Sequence, residues 1–546
     1  MKRFKKAIAL VLAVLMVSSC FAATASAGSF KIDGATKQKA ENTLYMVLDK
    51  VVSAAVSVLN RIIPGRDWSG SFPDIENYKP NNFYPGDAKF ETSVKADSKW
   101  KVGFSKASLI EDLEFKNGTY LYKGKKLNMA GTLEPFKGRH PTEIIDDQQV
   151  CTYAISDSTG GTVVHAVIDG YGIASGDVAS IRAVLSDFAK KNNIVSINVS
   201  VLHQHSCIDI LGMGAPLLPA LLLNPFLSIL GADTDKFIGG KTPEFMTNVV
   251  STVASTVKEA VKDMTAGTLY YGNVDASEYI YDKREPKVID PDLHRFRFVP
   301  DDSKENEIWI CEGGLHAVGA GISTTKICAD FPYYIRETIN KATGADVVYV
   351  QGAELAITGN YGSLTFDDSV PGANVKAMGE ALAGRLMSIK DETKLDPVLN
   401  IAHQNVYIKI TNQILELAIR EGLVNSTLAK NGSGFTAVSE IGYMELGNKV
   451  GVMIVPGEIS PELLWGGVIE KENTWTGKSW DYPPFAETAK VEKLLCFGLA
   501  NDQIGYILPD NDYRSMFTEN EEINAGSSEA ASTIAQAFAE LIKKVK

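Results

Sequence analysis

Apolar and polar residues follow strand and helix periods in turn along the first half of the chain. Residues 161–173 ("GTVVHAVIDGYGI") and 194–205 ("IVSINVSVLHQH") carry strand-like apolar runs, and residues 177–192 between them carry apolar side chains at helical spacing. Asp177 is expected to cap this helix and Asn193 to end it. A strand, a helix and a strand in this order predict an α/β fold with a mixed, largely parallel central sheet flanked by helices.

The same periods recur in the second half of the chain. They predict strands over 307–319, 345–355 and 449–460, a helix over 331–344, and an amphipathic helix over 525–546. Ligands of α/β sheets bind beyond the ends of the strands. Polar residues at the strand ends are therefore the first candidates for a functional site.

The first 27 residues have the pattern of a signal peptide. A basic start and a short apolar stretch precede the small-residue site Ala25-Ser26-Ala27. A secreted or extracytoplasmic protein that begins at Gly28 is therefore expected. Lipidation of Cys20, which would tether the chain to a membrane, is the alternative.

The rest of the chain divides at about residue 95. Residues 28–95 are predicted to form an N-terminal helix, over about 36–63, and a linker rich in Pro, Asn and Gly, while residues 96–546 form one large domain. Within that domain, residues 210–232 ("ILGMGAPLLPALLLNPFLSILGA") are an almost wholly apolar insertion. Its length suggests a transmembrane helix, but its three prolines argue against an uninterrupted one. A buried core hairpin and an apolar lid that contacts a membrane surface both remain open.

Composition and cysteine spacing exclude several classes of protein. A hydrophobic content of 45% is ample for a packed core, and 66 acidic against 54 basic residues argue against nucleic acid as a partner. Five cysteines follow residue 27, and none of them forms a C-x-x-C pair. Neither a zinc finger nor a dense disulfide scaffold is expected, and most of these cysteines are predicted to be small buried side chains.

Two of the seven histidines, His203 and His205, end the strand predicted over 194–205. If that strand continues through Gln204, both imidazoles point to the same side, which is the geometry of a metal ligand with a helper. Two partly exposed histidines at a strand end are the alternative. The zincin H-E-x-x-H, the P-loop and the G-x-S-x-G motifs are absent from the sequence. The dispersed polar residues that remain at strand ends are His203, His205, His316, Glu458 and Tyr506.

Five segments in order resemble the catalytic domain of the neutral/alkaline, non-lysosomal ceramidases. They are "VSVLHQHSC", "CEGGLHAVGAGISTTKICADFPYYI", "VYVQGAELA", "VMIVPGEISPE" and "GLANDQIGYILPDNDY". The likeness covers most of residues 100–515. It implies a zinc-dependent hydrolase of sphingolipid metabolism, which cleaves the N-acyl bond of ceramide or a related lipid amide with a zinc-activated water.

The resemblance also implies the roles of the site residues. The family's first histidine motif, T-H-T-H-S-G, is matched by "LHQHSC" with both histidines retained. By this match His203, His316, Glu458 and Tyr506 are zinc ligands, and His205 is a catalytic residue that accepts a proton or stabilises an oxyanion. Imidazole and carboxylate are common zinc ligands, and a tyrosine oxygen is a less common one.

The sequence departs from the family pattern at several places. "QGAELAITGN" (351–360) replaces a Gly-Asn/Asp stretch, "GNVDASEYIY" (272–281) lacks the arginine of an Asn-Arg-Ser segment, and Cys207 replaces a glycine. The family's C-terminal immunoglobulin-like domain is expected to be missing, since little sequence follows Tyr506. These departures leave a second hypothesis open, a non-catalytic, zinc-containing, ceramidase-like surface protein that binds lipid.

Overall fold

The fold is that of a computed structural model. It describes residues 44–45, 47–51, 54, 72–78, 89–131, 137–230, 239–432, 434–466, 470–515 and 521–546. The predicted signal peptide and Cys20 lie outside the described residues, as does most of the helix predicted over 36–63. The described residues between 44 and 54 are helical.

The regular elements are numbered in chain order. The strands are β1 (Trp100–Ser108), β2 (Leu113–Lys116), β3 (Thr119–Tyr122), β4 (Lys125–Lys126), β5 (Glu143–Ile144), β6 (Gln149–Ser156), β7 (Thr162–Ile168), β8 (Ile194–Val201), β9 (Thr265–Asp275), β10 (Ile280–Asp282), β11 (Asp292–Pro300), β12 (Ile308–Gly313), β13 (Lys326–Ile327), β14 (Asp346–Gln351), β15 (Ile357–Gly359), β16 (Thr393–Leu395), β17 (Leu399–Lys409), β18 (Leu428–Asn431), β19 (Gly434–Leu446), β20 (Val450–Ile454), β21 (Glu458–Ile459), β22 (Lys493–Phe497) and β23 (Tyr506–Ile507). The helices are α1 (Ser175–Lys191), α2 (Leu217–Ile229), α3 (Pro243–Lys262), α4 (Asp330–Thr343), α5 (Ala373–Met387), α6 (Gln413–Arg420), α7 (Pro461–Trp465), α8 (Phe485–Ala489) and α9 (Ala530–Val545).

The largest sheet has nine strands in the order β14-β12-β11-β9-β1-β6-β7-β8, with β16 also beside β9. The predicted α/β fold with a mixed sheet and flanking helices is confirmed. Parallel pairing is less extensive than the sequence predicts, because it is confined to the two end pairs β7–β8 and β12–β14. In each of these pairs a helix, α1 or α4, carries the chain across the sheet, whereas the other strands pair antiparallel.

A second sheet, β17-β19-β20-β22, packs face to face on the first. Val102 and Tyr153 of the first sheet share one core with Val452 and Phe497 of the second. The opposite faces are covered by helices, α3 on β1, β6 and β7, and α9 on β17. The result is four layers, helices, sheet, sheet and helices, which explains why every residue of β6 is buried.

Helix α1 begins earlier than the sequence predicts. Its N-cap is Ala174, so Asp177 lies in the first turn and is not the cap. The carboxylate of Asp177 instead accepts hydrogen bonds from Lys241 Nζ and Asn425 Nδ2, both at 2.9 Å. Asn193 does follow the end of the helix as predicted, in the left-handed conformation with φ of 51°.

The apolar insertion forms a single helix, α2, and no hairpin in its described residues, which end at 230. The helix runs through the positions of Pro219 and Pro225. Leu221 packs on Leu417 of α6, whereas Leu223 is 50% exposed. Along the described part of the chain, no helix is long and apolar enough to cross a membrane.

The cysteine prediction is confirmed in the described residues. Each of the five cysteines after residue 27 is free and buried. Cys207 donates a hydrogen bond from its thiol to the carbonyl oxygen of Gln204, at 3.0 Å, so it acts as a small packed residue.

Candidate metal centre

Four of the residues singled out in the sequence converge where strands end. His203 follows β8 and His316 follows β12, while Glu458 and Tyr506 begin β21 and β23. The strands β21 and β23 pair parallel with Glu458 directly opposite Tyr506. The four side chains therefore come together although more than 300 residues separate the first from the last.

Backbone carbonyls orient both imidazoles in the same way. Nδ1 of His203 lies 2.7 Å from the carbonyl oxygen of Tyr171, and Nδ1 of His316 lies 2.9 Å from that of Ile357. Because a carbonyl oxygen only accepts, each Nδ1 carries a proton, and in the neutral form of the ring Nε2 presents a lone pair. Burial lowers the pKa of His203 to about 4, which keeps this ring neutral at pH 7. Metal-binding histidines in proteins are held in this way.

The two lone pairs converge on one carboxylate oxygen. Oε2 of Glu458 lies 3.2 Å from Nε2 of His203 and 2.9 Å from Nε2 of His316. Neither Oε2 of Glu458 nor Nε2 of His203 has a hydrogen-bond partner.

Three acceptor atoms that face one another inside a protein repel unless a cation lies among them. Histidine nitrogen and carboxylate oxygen are the donor atoms that Zn²⁺ commonly takes. His203, His316, Glu354 and Glu458 each offer a ligand atom within 4.8 Å of the others. The residues present therefore fit a divalent metal ion.

Tyr506 lies at the edge of this group. Its hydroxyl is 3.4 Å from Nε2 of His316, and burial, followed by the charge of Glu458, raises its pKa well above the ordinary value. The hydroxyl therefore stays protonated at neutral pH and can donate a hydrogen bond.

His205 is adjacent to the other histidines, but not for the reason that the sequence suggested. Strand β8 ends at Val201, and His203 has a left-handed φ of 53°, so the chain turns instead of staying extended through Gln204. The ring of His205 nevertheless lies 4.7 Å from that of His203, centre to centre. Burial, with the neighbouring His203 and His316, lowers the pKa of His205 well below the ordinary value.

Sequence reasoning missed three residues that support the centre. Tyr171 stacks on the ring of His203 at 4.5 Å, and Gln503 donates from Nε2 to Oε1 of Glu458 at 3.1 Å. Glu354, fully buried, has its Oε2 3.7 Å from Nδ1 of His316. The sequence held a signal for Tyr171, because this residue follows β7. Strand β7 pairs parallel with β8, which leads to His203, so the ends of the two strands lie side by side.

An apolar cavity adjoins the carboxylate. Glu458 and Gln503 line one part of it, and the rest of its wall is mostly apolar, with Leu211, Ile410 and Ile419 among the lining residues. Because Leu211 and Met213 belong to the apolar insertion (210–232), the insertion itself lines part of this cavity. The group formed by His203, His316 and Glu458 therefore borders an apolar space that suits a hydrocarbon chain.

Comparison with known proteins identifies the fold. No protein-family model matches the sequence, and no curated protein matches it. Among solved structures, the neutral ceramidase from Pseudomonas aeruginosa is similar, with a TM-score of 0.57 and 14% identity, over 82% of this chain and 74% of that chain. A ceramidase complexed with C2 is also similar, with a TM-score of 0.56 and 13% identity, over 82% of this chain and 75% of that chain. The chain therefore has a ceramidase-like fold.

Proposed function

We propose that this protein is a secreted, zinc-dependent amidohydrolase that cleaves the N-acyl bond of ceramide or a related lipid amide. One observation carries the proposal. Nε2 of His203 and Nε2 of His316 lie 3.2 and 2.9 Å from one oxygen of Glu458, and this group is buried next to an apolar cavity. The ceramidase-like fold and the sequence resemblance support the substrate class. The N-terminal signal pattern supports export.

His203, His316 and Glu458 would hold the zinc ion, with Tyr506 as the fourth ligand. When bound, zinc lowers the pKa of water and polarises an amide carbonyl. The carbonyls of Tyr171 and Ile357 keep the two imidazoles turned toward the ion, and Gln503 keeps the carboxylate in place.

His205 is proposed as the proton carrier. Burial lowers its pKa well below the ordinary value, so the ring is neutral at pH 7. One ring nitrogen would take the proton that the attacking water loses. The same nitrogen then returns the proton to the departing amine, which must be protonated to leave.

The apolar cavity is proposed to take the acyl chain. Its mostly apolar wall excludes water from the reacting bond as well as binding hydrocarbon. Leu223 on α2 and Leu230 just beyond it, 50% and 80% exposed, are proposed to touch the lipid surface that supplies the substrate.

The test is release of fatty acid from a short-chain fluorescent ceramide by the purified protein. Turnover by the parent protein is expected, and it should be lost in His316→Ala. The same change at His403 serves as the control and should keep turnover. His403 is a buried histidine of the second sheet, and its Nε2 lies 3.0 Å from Oγ of Ser196 in the first sheet. Bound zinc without turnover of any N-acyl lipid would reject the enzyme and favour the lipid-binding alternative.

A further inference from the structure

A basic groove lies on the small sheet β2-β3-β4, outside the candidate metal centre. One face of this sheet forms its floor, because residues two apart on a strand, and residues directly opposite on paired strands, point to the same side. Lys116 of β2 is opposite Thr119 of β3. Glu114 is opposite Leu121, which is in turn opposite Lys126 of β4. All five residues line the groove.

The wall of the groove is fixed to this floor. Residues 137–140 and Thr142 line the wall. The carbonyl oxygen of Pro141 accepts hydrogen bonds from the backbone N–H of Tyr120 and from the hydroxyl of Thr119, both at 2.8 Å. The groove is therefore preformed, and its volume of about 810 Å³ is that of a site for a small molecule or a head group.

The groove is cationic, although the chain as a whole has a formal net charge of -12. Four cationic side chains line it, those of Lys116, Lys126, Lys137 and Arg139. Glu114 supplies the one carboxylate among its described lining residues. The three lysines are exposed, and none of them pairs with a carboxylate in the described part of the chain. By contrast Lys125, on the opposite face of β4, pairs with Glu244 at 3.3 Å. Cationic side chains without acidic partners are the groups that bind phosphate oxygens.

The groove lies beside the apolar insertion. Gly138 lines its wall, and a Cβ on Gly138 would lie 3.3 Å from the carbonyl oxygen of Gly214. Helix α2 begins shortly after Gly214, at Leu217, and carries the exposed Leu223. Basic side chains next to exposed apolar ones are the combination with which peripheral proteins bind anionic membranes.

The groove is also linked to the candidate metal centre. Nη2 of Arg139 donates to the carbonyl oxygen of Ala130. The backbone N–H of Ala130 in turn donates to the carbonyl oxygen of Cys207 at 2.9 Å, close in sequence to His205. A head group in the groove would therefore hold the centre next to the surface that carries the lipid.

We propose that the basic groove binds the phosphate head group of an anionic membrane lipid. Lys116, Lys126 and Lys137 contact the phosphate oxygens, and Arg139 adds its charge from the wall. An acidic protein approaches an anionic membrane only through a local basic surface, and this groove supplies one beside α2. The proposal goes beyond amide hydrolysis and does not depend on it.

The test is sedimentation of the purified protein with vesicles. Vesicles of equal parts phosphatidylcholine and phosphatidylglycerol should bind the parent protein more tightly than vesicles of phosphatidylcholine alone. The triple variant Lys116→Gln/Lys126→Gln/Lys137→Gln should lose about 100-fold in affinity for the mixed vesicles, because each lysine at an anionic surface contributes about fivefold. Since the three lysines are exposed, the variant should keep the urea midpoint of the parent.

The control is Lys190→Gln/Lys191→Gln/Lys341→Gln, which changes the net charge equally. These lysines are exposed in the last turns of α1 and α4, and this variant should bind the mixed vesicles like the parent. Equal binding of the two triple variants overturns the proposal, and so does equal binding of the parent to both kinds of vesicle.

Two measurements on the parent protein do not depend on any variant. Raised salt should weaken its binding to the mixed vesicles, because the lysines are exposed and their charges are screened. Calorimetry with inorganic phosphate decides the source of the phosphate group. Tight binding of inorganic phosphate without a preference for phosphatidylglycerol vesicles would assign the groove to a free anion and overturn the lipid head group.

Discussion

Replacement of Glu458 by glutamine should have opposite effects on the free energy of unfolding in the metal-free protein and in the zinc-bound protein. In the parent protein without metal, Oε2 of Glu458 faces the lone pairs of His203 and His316 at 3.2 and 2.9 Å. A glutamine amide of the same size puts an N–H donor in that place, while its oxygen still accepts from Gln503. One new neutral hydrogen bond stabilises by about 1 kcal/mol, so metal-free Glu458→Gln should be at least as stable as the metal-free parent.

With zinc present the order should reverse. The variant loses an anionic ligand at a site built around a dication, and damage of this kind lowers metal affinity by about 10-fold to 100-fold. That loss corresponds to about 1.4 to 2.8 kcal/mol of binding free energy. Zinc should therefore stabilise the parent against denaturant more than it stabilises the variant.

The assay is urea unfolding in EDTA and in excess zinc, together with competition for zinc by a chromophoric chelator. Glu445→Gln is the matched control, because Glu445 is a buried carboxylate that accepts from the hydroxyl of Tyr443 and pairs with Lys546. It should lose stability in both conditions and keep the zinc affinity of the parent. Unchanged zinc affinity in Glu458→Gln, or a large loss of stability in EDTA, would refute the reasoning.

Three further predictions concern the metal, the lipid surface and acid stability. Replacement of His316 by alanine should remove zinc from the candidate metal centre, and a full zinc equivalent by metal analysis would contradict its role as a ligand. The pair Leu223→Glu/Leu230→Glu should weaken liposome binding about 100-fold, since two leucines contribute about 3 kcal/mol or more, and it should spare hydrolysis of a water-soluble short-chain amide. Val184→Glu, at an exposed position of α1, is its control, and equal liposome binding by both proteins would reject the lipid contact. Burial lowers the pKa of His165 to about 3. Below about pH 6.5 the unfolded chain therefore binds a proton at this residue that the folded chain does not bind. As the pH falls, this difference should lower the free energy of unfolding by about 1.4 kcal/mol per pH unit. His165→Asn should make the dependence of the urea midpoint on pH shallower between pH 6.5 and 5, and an unchanged slope would show that His165 does not contribute.

The sequence predicted the parts of the fold that the local spacing of apolar residues determines. The unit β7-α1-β8 and the strands and helix of β12-α4-β14 lie where the apolar patterns placed them. The antiparallel pairing of the central strands was not predictable, because no local pattern states which distant strand a given strand joins.

The candidate centre was predictable in its residue types more than in its geometry. The order of motifs singled out His203, His316, Glu458 and Tyr506, and the structure brings these side chains together. The strand period did not explain His205, because the left-handed backbone at His203 ends the extended conformation. A left-handed residue of this kind, other than glycine, is imposed by surrounding packing and is typical of functional sites.

The most direct test of the proposed function is metal reconstitution during turnover. Protein stripped with chelator and freed of it should release no fatty acid from a short-chain ceramide, and stepwise addition of zinc should restore the release. Restored activity should rise in proportion to the zinc bound at the candidate metal centre, and it should be absent when Glu458 and His316 are both replaced. Full activity in the stripped protein, or restoration by zinc in that double variant, would contradict it.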